Sequence, residues 1–261
     1  MSLKDHGTLR SVRANWLVLA LILVAGSALA DAEHHPHWSY GGSTGPASWG
    51  TLENDYESCA LGKTQSPINI REDAVHQADL PAIEFSYRPS VLRIIDNGHT
   101  IQVNYAPGSF ITVAGHRYDL VQLHFHKPSE EQINDRTYDM VAHLVHRDSE
   151  GKWGVVAVLL VKGSRSPLID MLWSHLPAQK EKENVVESAS INVATLLPSD
   201  RAYYTFTGSL TTPPCTEGVT WFVLRNPSSI SAAEIARFAA IYPMNARPVQ
   251  ALNGRAIEVS R

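Results

Sequence analysis

Alternation of apolar and polar residues through the middle of the chain is the feature that most restricts its possible folds. From about residue 86 to residue 161, the dominant pattern is period-two alternation in β-branched and aromatic residues, which is the period of a half-buried β-strand. Turn-forming sequences rich in Asn, Gly and Pro separate the segments. The pattern predicts strands at 91–95, 101–105, 110–113 and 120–125.

Other segments complete this outline. The run 154–161 is continuously apolar, as in a central strand that is buried on both faces. Helices are predicted at 166–175, which begins Ser-Pro, and at 231–242, where Ser231 and Glu234 form a capping-box pattern. Because neither a repeat nor a linker interrupts the chain, we expect one β-rich domain with short peripheral helices.

The first thirty residues have a different character. Basic residues precede an apolar run at 16–25, and small residues follow it up to Ala30. This order predicts a secretory signal peptide over residues 1–30, which would leave a mature domain of residues 31–261 in the periplasm or outside the cell. A membrane anchor is the alternative, but the run falls well short of the roughly 20 residues that cross a bilayer.

Composition excludes one class of partner and leaves the two cysteines open. The formal net charge of −4 offers no basic surface for nucleic acid. If the chain is exported, Cys59 and Cys215 are expected to form a disulfide. In a cytosolic protein, two free buried thiols would be the better interpretation.

Two of the twelve histidines stand out by their spacing. In the predicted strand that ends at residue 126, alternation puts Val121, Leu123 and Phe125 on one face and Gln122, His124 and His126 on the other. Imidazoles at positions i and i+2 of one strand face can converge on a single ion. Such a pair is weak support for a metal site when it stands alone.

A third histidine strengthens the prediction of a metal site. His143 lies in the apolar sequence 141–145, which predicts another strand, and an antiparallel neighbour would bring it opposite the pair. Three neutral nitrogen ligands that leave a fourth position for water are typical of catalytic zinc, which can supply hydroxide near neutral pH.

At this point the sequence resembles a known family, the alpha-class carbonic anhydrases, and specifically their exported bacterial branch. The shared motifs run in the family's order through almost the whole chain after residue 37. They are Trp38-Ser39-Tyr40, Gln65-Ser66-Pro67-Ile68-Asn69-Ile70, Asn97-Gly98-His99, Gln122-Leu123-His124-Phe125-His126, Pro128-Ser129-Glu130, Ala142-His143-Leu144-Val145-His146 and Gly208-Ser209-Leu210-Thr211-Thr212-Pro213-Pro214-Cys215.

The resemblance implies a fold and an activity. The fold would be mainly β (α+β), with a large, twisted, mostly antiparallel central sheet and short peripheral helices. The activity would be zinc-dependent, reversible hydration of carbon dioxide to bicarbonate and a proton, that of a carbonate dehydratase. The substrate would then be a small molecule, with no nucleic acid and no membrane involved after signal cleavage. The bacterial branch also suggests a homodimer, although no residue pattern here indicates an interface.

The resemblance also assigns roles to residues that the patterns alone do not single out. His124, His126 and His143 would bind zinc, Thr211 and Glu130 would orient the attacking hydroxide, and His99 would shuttle the proton. Gln122 would accept a hydrogen bond from His124. The resemblance also strengthens the expected pairing of Cys59 with Cys215. Carbon dioxide and bicarbonate would contact Thr212, Leu210, Val145, Val155, Val219 and Trp221.

Two positions depart from the family pattern. The family commonly has a glutamate two residues before the third histidine, where this chain has Val141, which cannot accept a hydrogen bond. We therefore expect water or a neighbouring acceptor to replace it, and zinc to be more labile. Glu131 stands where many relatives have histidine. It would normally point away from Glu130, because adjacent strand residues face opposite sides.

Two other functions fit parts of the pattern. A catalytically silent carbonic-anhydrase-like binding module would usually have lost a zinc histidine, and all three are present with Thr211 and Glu130. A zinc hydrolase of another fold is the second alternative. A zinc protease, for instance, would be expected to carry a motif such as H-E-x-x-H, which the sequence lacks.

Overall fold

The computed structural model describes residues 38–260, in which strands dominate. The four α-helices are short: α1 (Trp49–Leu52), α2 (Ser58–Leu61), α3 (Pro167–Ser174) and α4 (Ala232–Ala239). The strands are β1 (Asn69–Ile70), β2 (His76–Gln77), β3 (Glu84–Ser86), β4 (Ser90–Asp96), β5 (Ile101–Asn104), β6 (Phe110–Val113), β7 (His116–His126), β8 (Gln132–Ile133), β9 (Arg136–Thr137), β10 (Met140–Arg147), β11 (Trp153–Lys162), β12 (Asn184–Ile191), β13 (Tyr203–Ser209), β14 (Glu217–Leu224), β15 (Ser228–Ile230) and β16 (Glu258–Val259).

One sheet of 13 strands forms the body of the described region. Its main order is β12-β4-β5-β7-β10-β11-β14-β13-β16-β2, and β1, β8 and β9 form a separate small sheet. Most neighbours in the large sheet are antiparallel; β11 pairs in parallel with β14 and β15, and β16 with β2. The predicted mainly β fold with a large, mostly antiparallel sheet is confirmed.

The strands and helices predicted from pattern are all present. The four alternating segments form β4, β5, β6 and part of β7, and the continuous apolar run forms β11. In α3, the Ser166 side chain caps the first turn by accepting from the Ile169 amide. In α4, Ser231 and Glu234 form the complete capping box. These caps satisfy amides that the first turn of a helix leaves without a partner.

Apolar side chains cover both faces of the central strands, in two separate clusters. The larger cluster includes Leu123, Phe125 and Leu144, and α3 and α4 pack against it through Trp173 and Phe238. The smaller cluster lies on the opposite face and includes Val141, Val145, Val155, Val219 and Trp221. Strands β10 and β11 are therefore buried on both faces, and close packing holds their side chains rigidly in place.

The start of the described region packs on this body through aromatic rings. Trp38, Tyr40 and Trp49 meet edge to face with ring centroids 5.1–5.7 Å apart. They adjoin the disulfide between Cys59 and Cys215, so the predicted disulfide is confirmed. Within residues 38–260, none of the helices has the length and apolar character needed to cross a membrane.

Candidate metal centre

Two neighbouring antiparallel strands bring the three predicted histidines together. His124 and His126 project from β7, and the pairing of β7 with β10 puts His143 directly opposite His124. One ligand atom from each ring lies within 4.8 Å of the others. His126 and His143 are each 1% exposed. The prediction that the strand pairing gathers these three imidazoles is confirmed.

Each ring is held by a hydrogen bond at the nitrogen that faces away from the shared point. His124 Nδ1 lies 2.9 Å from Gln122 Oε1, the predicted partner. His126 Nδ1 lies 2.8 Å from the Asn245 carbonyl oxygen. His143 Nε2 lies 3.0 Å from Glu131 Oε1. Each carbonyl or carboxylate oxygen accepts the ring N–H, so the other ring nitrogen is left with a free lone pair.

The remaining nitrogens fit a metal ion better than any group of the protein. His126 Nε2 is fully buried and has no hydrogen-bond partner among the described residues. A buried polar atom without a partner is costly, and it is rare unless an ion or ligand satisfies it. Three imidazole nitrogens that converge on one point match the donor set of catalytic zinc. The residues present therefore fit zinc.

The protonation states of His124 and His126 also suit metal binding. Burial and the nearby His143 lower the pKa of His124 to about 3, and burial lowers the pKa of His126 well below its usual value. Both rings are therefore neutral near pH 7, as metal ligands must be. Burial raises the pKa of Glu130 to about 7, against the opposing effects of His143, the Arg247 amide and Thr211.

Glu130 and Glu131 do not point apart, contrary to expectation. Both carboxylates are buried, with Glu130 2% and Glu131 0% exposed, and both approach His143. The alternation argument fails because residues 127–131 form a bend between β7 and β8 instead of a strand. The contact of Glu131 with His143 also shows what replaces the acceptor that Val141 cannot provide. A neighbouring carboxylate, Glu131, accepts the hydrogen bond of His143.

A cavity of about 200 Å³ opens beside His124 and His143. Val145, Val155, Leu210 and Trp221 line it, as do Thr211 and Thr212. Val219, the remaining residue of the expected substrate wall, is fully buried in the adjoining apolar cluster. The cavity therefore has an apolar side formed by β10, β11 and β14 and a polar side formed by the threonines and histidines.

Two lining residues were not predicted. Val121 was expected on the face opposite Gln122, yet both line the cavity. The pairing of β7 with β10 shifts here, with Val145 opposite Gln122 and His146 opposite Leu120. Such a β-bulge breaks strict alternation and turns the extra residue. Trp153, at the start of β11, also lines the cavity, and no motif marks it.

The loop between β13 and β14 holds the two threonines against the metal site. The Leu210 amide donates to the Thr216 carbonyl oxygen at 2.9 Å, and the Cys215 amide to the Thr212 carbonyl oxygen at 2.8 Å. The disulfide ties the loop to α2 through Cys59. The Thr211 side chain lies near the Glu130 carboxylate, whose pKa it lowers. The loop is therefore held in place on both sides of Thr211 and Thr212.

Comparison with known proteins agrees with this geometry over most of the chain. The sequence profile described as eukaryotic-type carbonic anhydrase matches residues 44–261. The chain belongs to the eukaryotic-type, or alpha, carbonic anhydrase family. Its members are zinc enzymes that hydrate carbon dioxide, and the chain is accordingly assigned carbonate dehydratase activity.

Relatives of known name and structure support the assignment. A carbonic anhydrase of Neisseria gonorrhoeae is 44% identical over 242 residues, which cover 91% of this chain and 94% of the relative. The alpha-carbonic anhydrase of Thermovibrio ammonificans, solved with sulfanilamide, is 38% identical with a TM-score of 0.82, covering 85% of this chain and 98% of its own. A hyperthermostable carbonic anhydrase from a hydrothermal vent chimney is 42% identical with a TM-score of 0.83, covering 86% and 100%.

His99 lies apart from the carbonic anhydrase cavity. It follows β4 in a turn where the Asn97 side-chain oxygen accepts from the His99 amide at 3.0 Å. Its ring stacks on Trp38, and it is not among the residues that line the cavity. Its carbonyl oxygen accepts from the Asn245 side-chain amide at 3.1 Å.

Asn245 is the main residue of the site that sequence reasoning missed. It is fully buried, and its carbonyl oxygen holds His126 while its side chain bonds to His99, Phe125 and Lys127. It is separated from each of these residues by more than a hundred positions in the chain. No local pattern could have marked it, because its role exists only in the folded chain.

Proposed function

We propose that this chain hydrates carbon dioxide by dividing the work among four groups of residues: a zinc-binding triad, an orienting pair, an apolar wall and a proton carrier. The observation that carries the proposal is the convergence of His124, His126 and His143 beside the cavity, each with its outward nitrogen already hydrogen-bonded. Zinc held there would supply hydroxide near neutral pH, because it lowers the pKa of a water molecule to about 7.

Thr211 and Glu130 would orient the attacking oxygen. Glu130 accepts from the Arg247 amide at 2.7 Å through Oε1, and the Thr211 side chain lies near its carboxylate. Donation of the Thr211 proton to this carboxylate would leave the hydroxyl able only to accept from a third partner. It would thus hold the attacking oxygen by its hydrogen and leave a lone pair directed at the carbon of the substrate.

The apolar wall would hold carbon dioxide next to that oxygen. Val145, Val155, Leu210 and Trp221 present carbon surfaces to the cavity, with Val219 packed among them. Carbon dioxide has no net dipole and forms weak hydrogen bonds, so a surface that excludes ordered water favours its binding. Thr212 lies on the polar side, where it would contact the charged product bicarbonate.

His99 would carry the proton from the cavity to buffer. An imidazole suits this task because its unperturbed pKa, about 6.5, lies close to working pH. Since the ring lies outside the cavity lining, water molecules would connect it to the attacking oxygen. The stacking of the ring on Trp38 supports a fixed position at the end of this chain of water molecules.

Stopped-flow measurement of carbon dioxide hydration tests the proposal. The zinc-loaded protein, the same protein stripped with a chelator, and the stripped protein given zinc again would be compared. We expect activity to disappear on stripping and to return with one zinc per chain. His116→Ala, which alters a half-exposed histidine paired with Asp148, is the control and should behave like the parent protein. Full activity in metal-free protein would overturn the proposal.

We also propose that residues 1–30 are a cleaved signal peptide and that the mature enzyme, residues 31–261, works in the periplasm or outside the cell. The leader falls outside the described residues. The disulfide supports export, since such bonds persist in oxidising compartments. Mass determination of the protein recovered from a bacterial periplasm should give Asp31 as its first residue. The homodimer stays a prediction, which sedimentation would check.

A further inference from the structure

The third zinc ligand lacks a hydrogen-bond partner on its own strand. His143 is 1% exposed, and with Nδ1 directed to the shared point its Nε2–H is buried and needs an acceptor. The neighbouring places on the same strand face are two residues earlier and two residues later, at positions 141 and 145. Both are valines with buried apolar side chains. Strand β10 therefore cannot orient its own ligand.

A carboxylate from a different segment supplies the missing acceptor. Glu131 Oε1 and Oε2 lie 3.0 and 3.2 Å from His143 Nε2, and the Glu131 side chain is completely buried. The sequence separation of twelve residues spans the bend after β7 and the small strands β8 and β9. The partner of the ligand thus reaches β10 from outside the strand.

The backbone around Glu131 is fixed in a way that supports this contact. The Ser129 hydroxyl donates to the Glu131 carbonyl oxygen at 2.9 Å and accepts from the Tyr138 amide at 2.9 Å. The Ser129 amide donates to the Tyr138 carbonyl oxygen at 3.1 Å. Ser129 therefore clamps the bend to the segment that leads into β10, which holds Glu131 at a set distance from His143.

The two adjacent glutamates have separate partners. Glu130 Oε1 accepts from the Arg247 amide at 2.7 Å, and its carboxylate lies near Thr211. Glu131 contacts the outer nitrogen of His143 instead. Removing the Glu131 carboxylate should therefore affect the hold on His143, whereas removing the Glu130 carboxylate should affect the surroundings of Thr211.

We propose that Glu131 is the positioning residue of His143, replacing the acceptor that position 141 cannot provide. By accepting from Nε2–H, it fixes the tautomer and the ring angle that leave Nδ1 for the metal. A carboxylate acceptor also makes the imidazole a stronger donor to a cation. This inference rests on the proposed zinc site, and it predicts firm zinc retention in place of the lability expected from Val141.

Zinc release to a chromophoric chelator tests the inference on folded holoenzyme, independently of activity. Partners of ligand histidines typically contribute about 10–100-fold in metal affinity, so Glu131→Ala should release zinc faster by a factor in that range. Glu131→Gln keeps the shape of the side chain and one acceptor oxygen. Its rate of zinc release should therefore lie between the rates of the parent protein and of Glu131→Ala. Glu187→Ala, at an exposed glutamate on β12, should match the parent protein.

A second-site rescue distinguishes positioning from general packing. Glu131→Ala combined with Val141→Glu restores a carboxylate two residues before His143 on the same strand face, and should recover most of the lost retention. The visible spectrum of the cobalt-substituted protein should change in Glu131→Ala and return toward the parent spectrum in the double variant. A purely structural role of Glu131 would give no such recovery.

The outcomes separate this inference from the proposed function. Unchanged zinc release in Glu131→Gln and in folded Glu131→Ala would overturn the role of Glu131 while leaving the zinc site intact. Failure of the parent protein to bind zinc would instead overturn the proposed function itself. If Glu131→Ala does not fold, Glu131→Gln carries the comparison, and release equal to that of the parent would count against the inference.

Discussion

Trp38 and His99 stack face to face, with ring centroids 3.6 Å apart and planes 6° from parallel. Trp38 belongs to the aromatic cluster beside the disulfide, whereas His99 belongs to the turn after β4. The indole therefore fixes the ring of the proposed proton carrier against the body of the enzyme. The turn beneath it is held by Asn97 and Asn245.

Substitution of His99 tests whether its ring carries the proton. We expect His99→Ala to lower kcat at low buffer concentration on the order of 10²-fold, as for other positioned proton-transfer groups. The kcat/KM value should hardly change, because the attack on carbon dioxide does not involve His99. Added imidazole buffer should restore kcat. A kcat that is independent of both the substitution and the buffer would show that protons leave by another route.

Thr211 offers a test of the orienting hydrogen bonds. Thr211→Val removes the hydroxyl at nearly constant volume and should lower kcat/KM by about 10²–10³-fold, the usual effect of losing one preorganised hydrogen bond in an active site. Thr211→Ser keeps the hydroxyl and should stay within about tenfold of the parent. Thr207→Val, at an exposed position of β13, is the matched control. Equal rates in the serine and valine variants would contradict the role.

Asn245 should be important for stability as well as for the metal site. Asn245→Ala removes the hydrogen bonds of its side chain to the His99 and Phe125 carbonyl oxygens and to the Lys127 amide. The Phe125 oxygen keeps the Thr100 hydroxyl as a donor. An unsatisfied buried group costs about 1–3 kcal/mol, so the free energy of unfolding in urea should fall by an amount in that range. Asn226→Ala, at an exposed asparagine, should change it by less than about 0.5 kcal/mol.

His146 should make the fold sensitive to acid. It is completely buried beside Tyr87, and burial lowers its pKa to about 4. Between pH 6.5 and 4 the unfolded chain therefore binds a proton there that the folded chain does not. Stability falls as pH decreases through this window, by roughly 3 kcal/mol for this group, and levels off below it.

The comparison of parent and His146→Gln isolates that contribution. Glutamine can keep a hydrogen bond with Tyr87 but does not titrate, so the difference in unfolding free energy between the two proteins should vary with pH only between about 6.5 and 4. His175→Gln, at the exposed end of α3, should leave the parent pH dependence unchanged. A difference that stays constant over this range would contradict the assignment.

Local patterns were sufficient for part of the fold. Alternation predicted β4 to β7 because each of these strands has one face on the core. No prediction covered β12, β13 or β14, and their sequences explain why. The first two carry register shifts, at Val186/Ser190 and Gly208/Ser209, that interrupt alternation. The second half of β14 is buried on both faces and therefore lacks a polar side.

The residues of the site also fall into those that local patterns predicted and those that they did not. His124 and His126 could be found from spacing on one strand, and His143 from its apolar strand context. Thr211 and Glu130 were recoverable only through family resemblance, since a loop threonine and an acidic residue after a strand carry no local signal. Asn245 and the contact of Glu131 with His143 depend on segments that meet only in the folded chain. Trp153 and Val121 were missed for a similar reason, because cavity lining depends on bulges and strand ends.

The arrangement of β7 and β10 also has a consequence for how the enzyme assembles. All three zinc ligands come from one nearly local antiparallel pair, whereas Thr211 is brought to the site by β13 and β14, through the parallel contact of β14 with β11. Closing a short loop costs less chain entropy than closing a long one, so local pairings tend to form early. The chain can therefore gather its metal ligands before the catalytic cavity has walls.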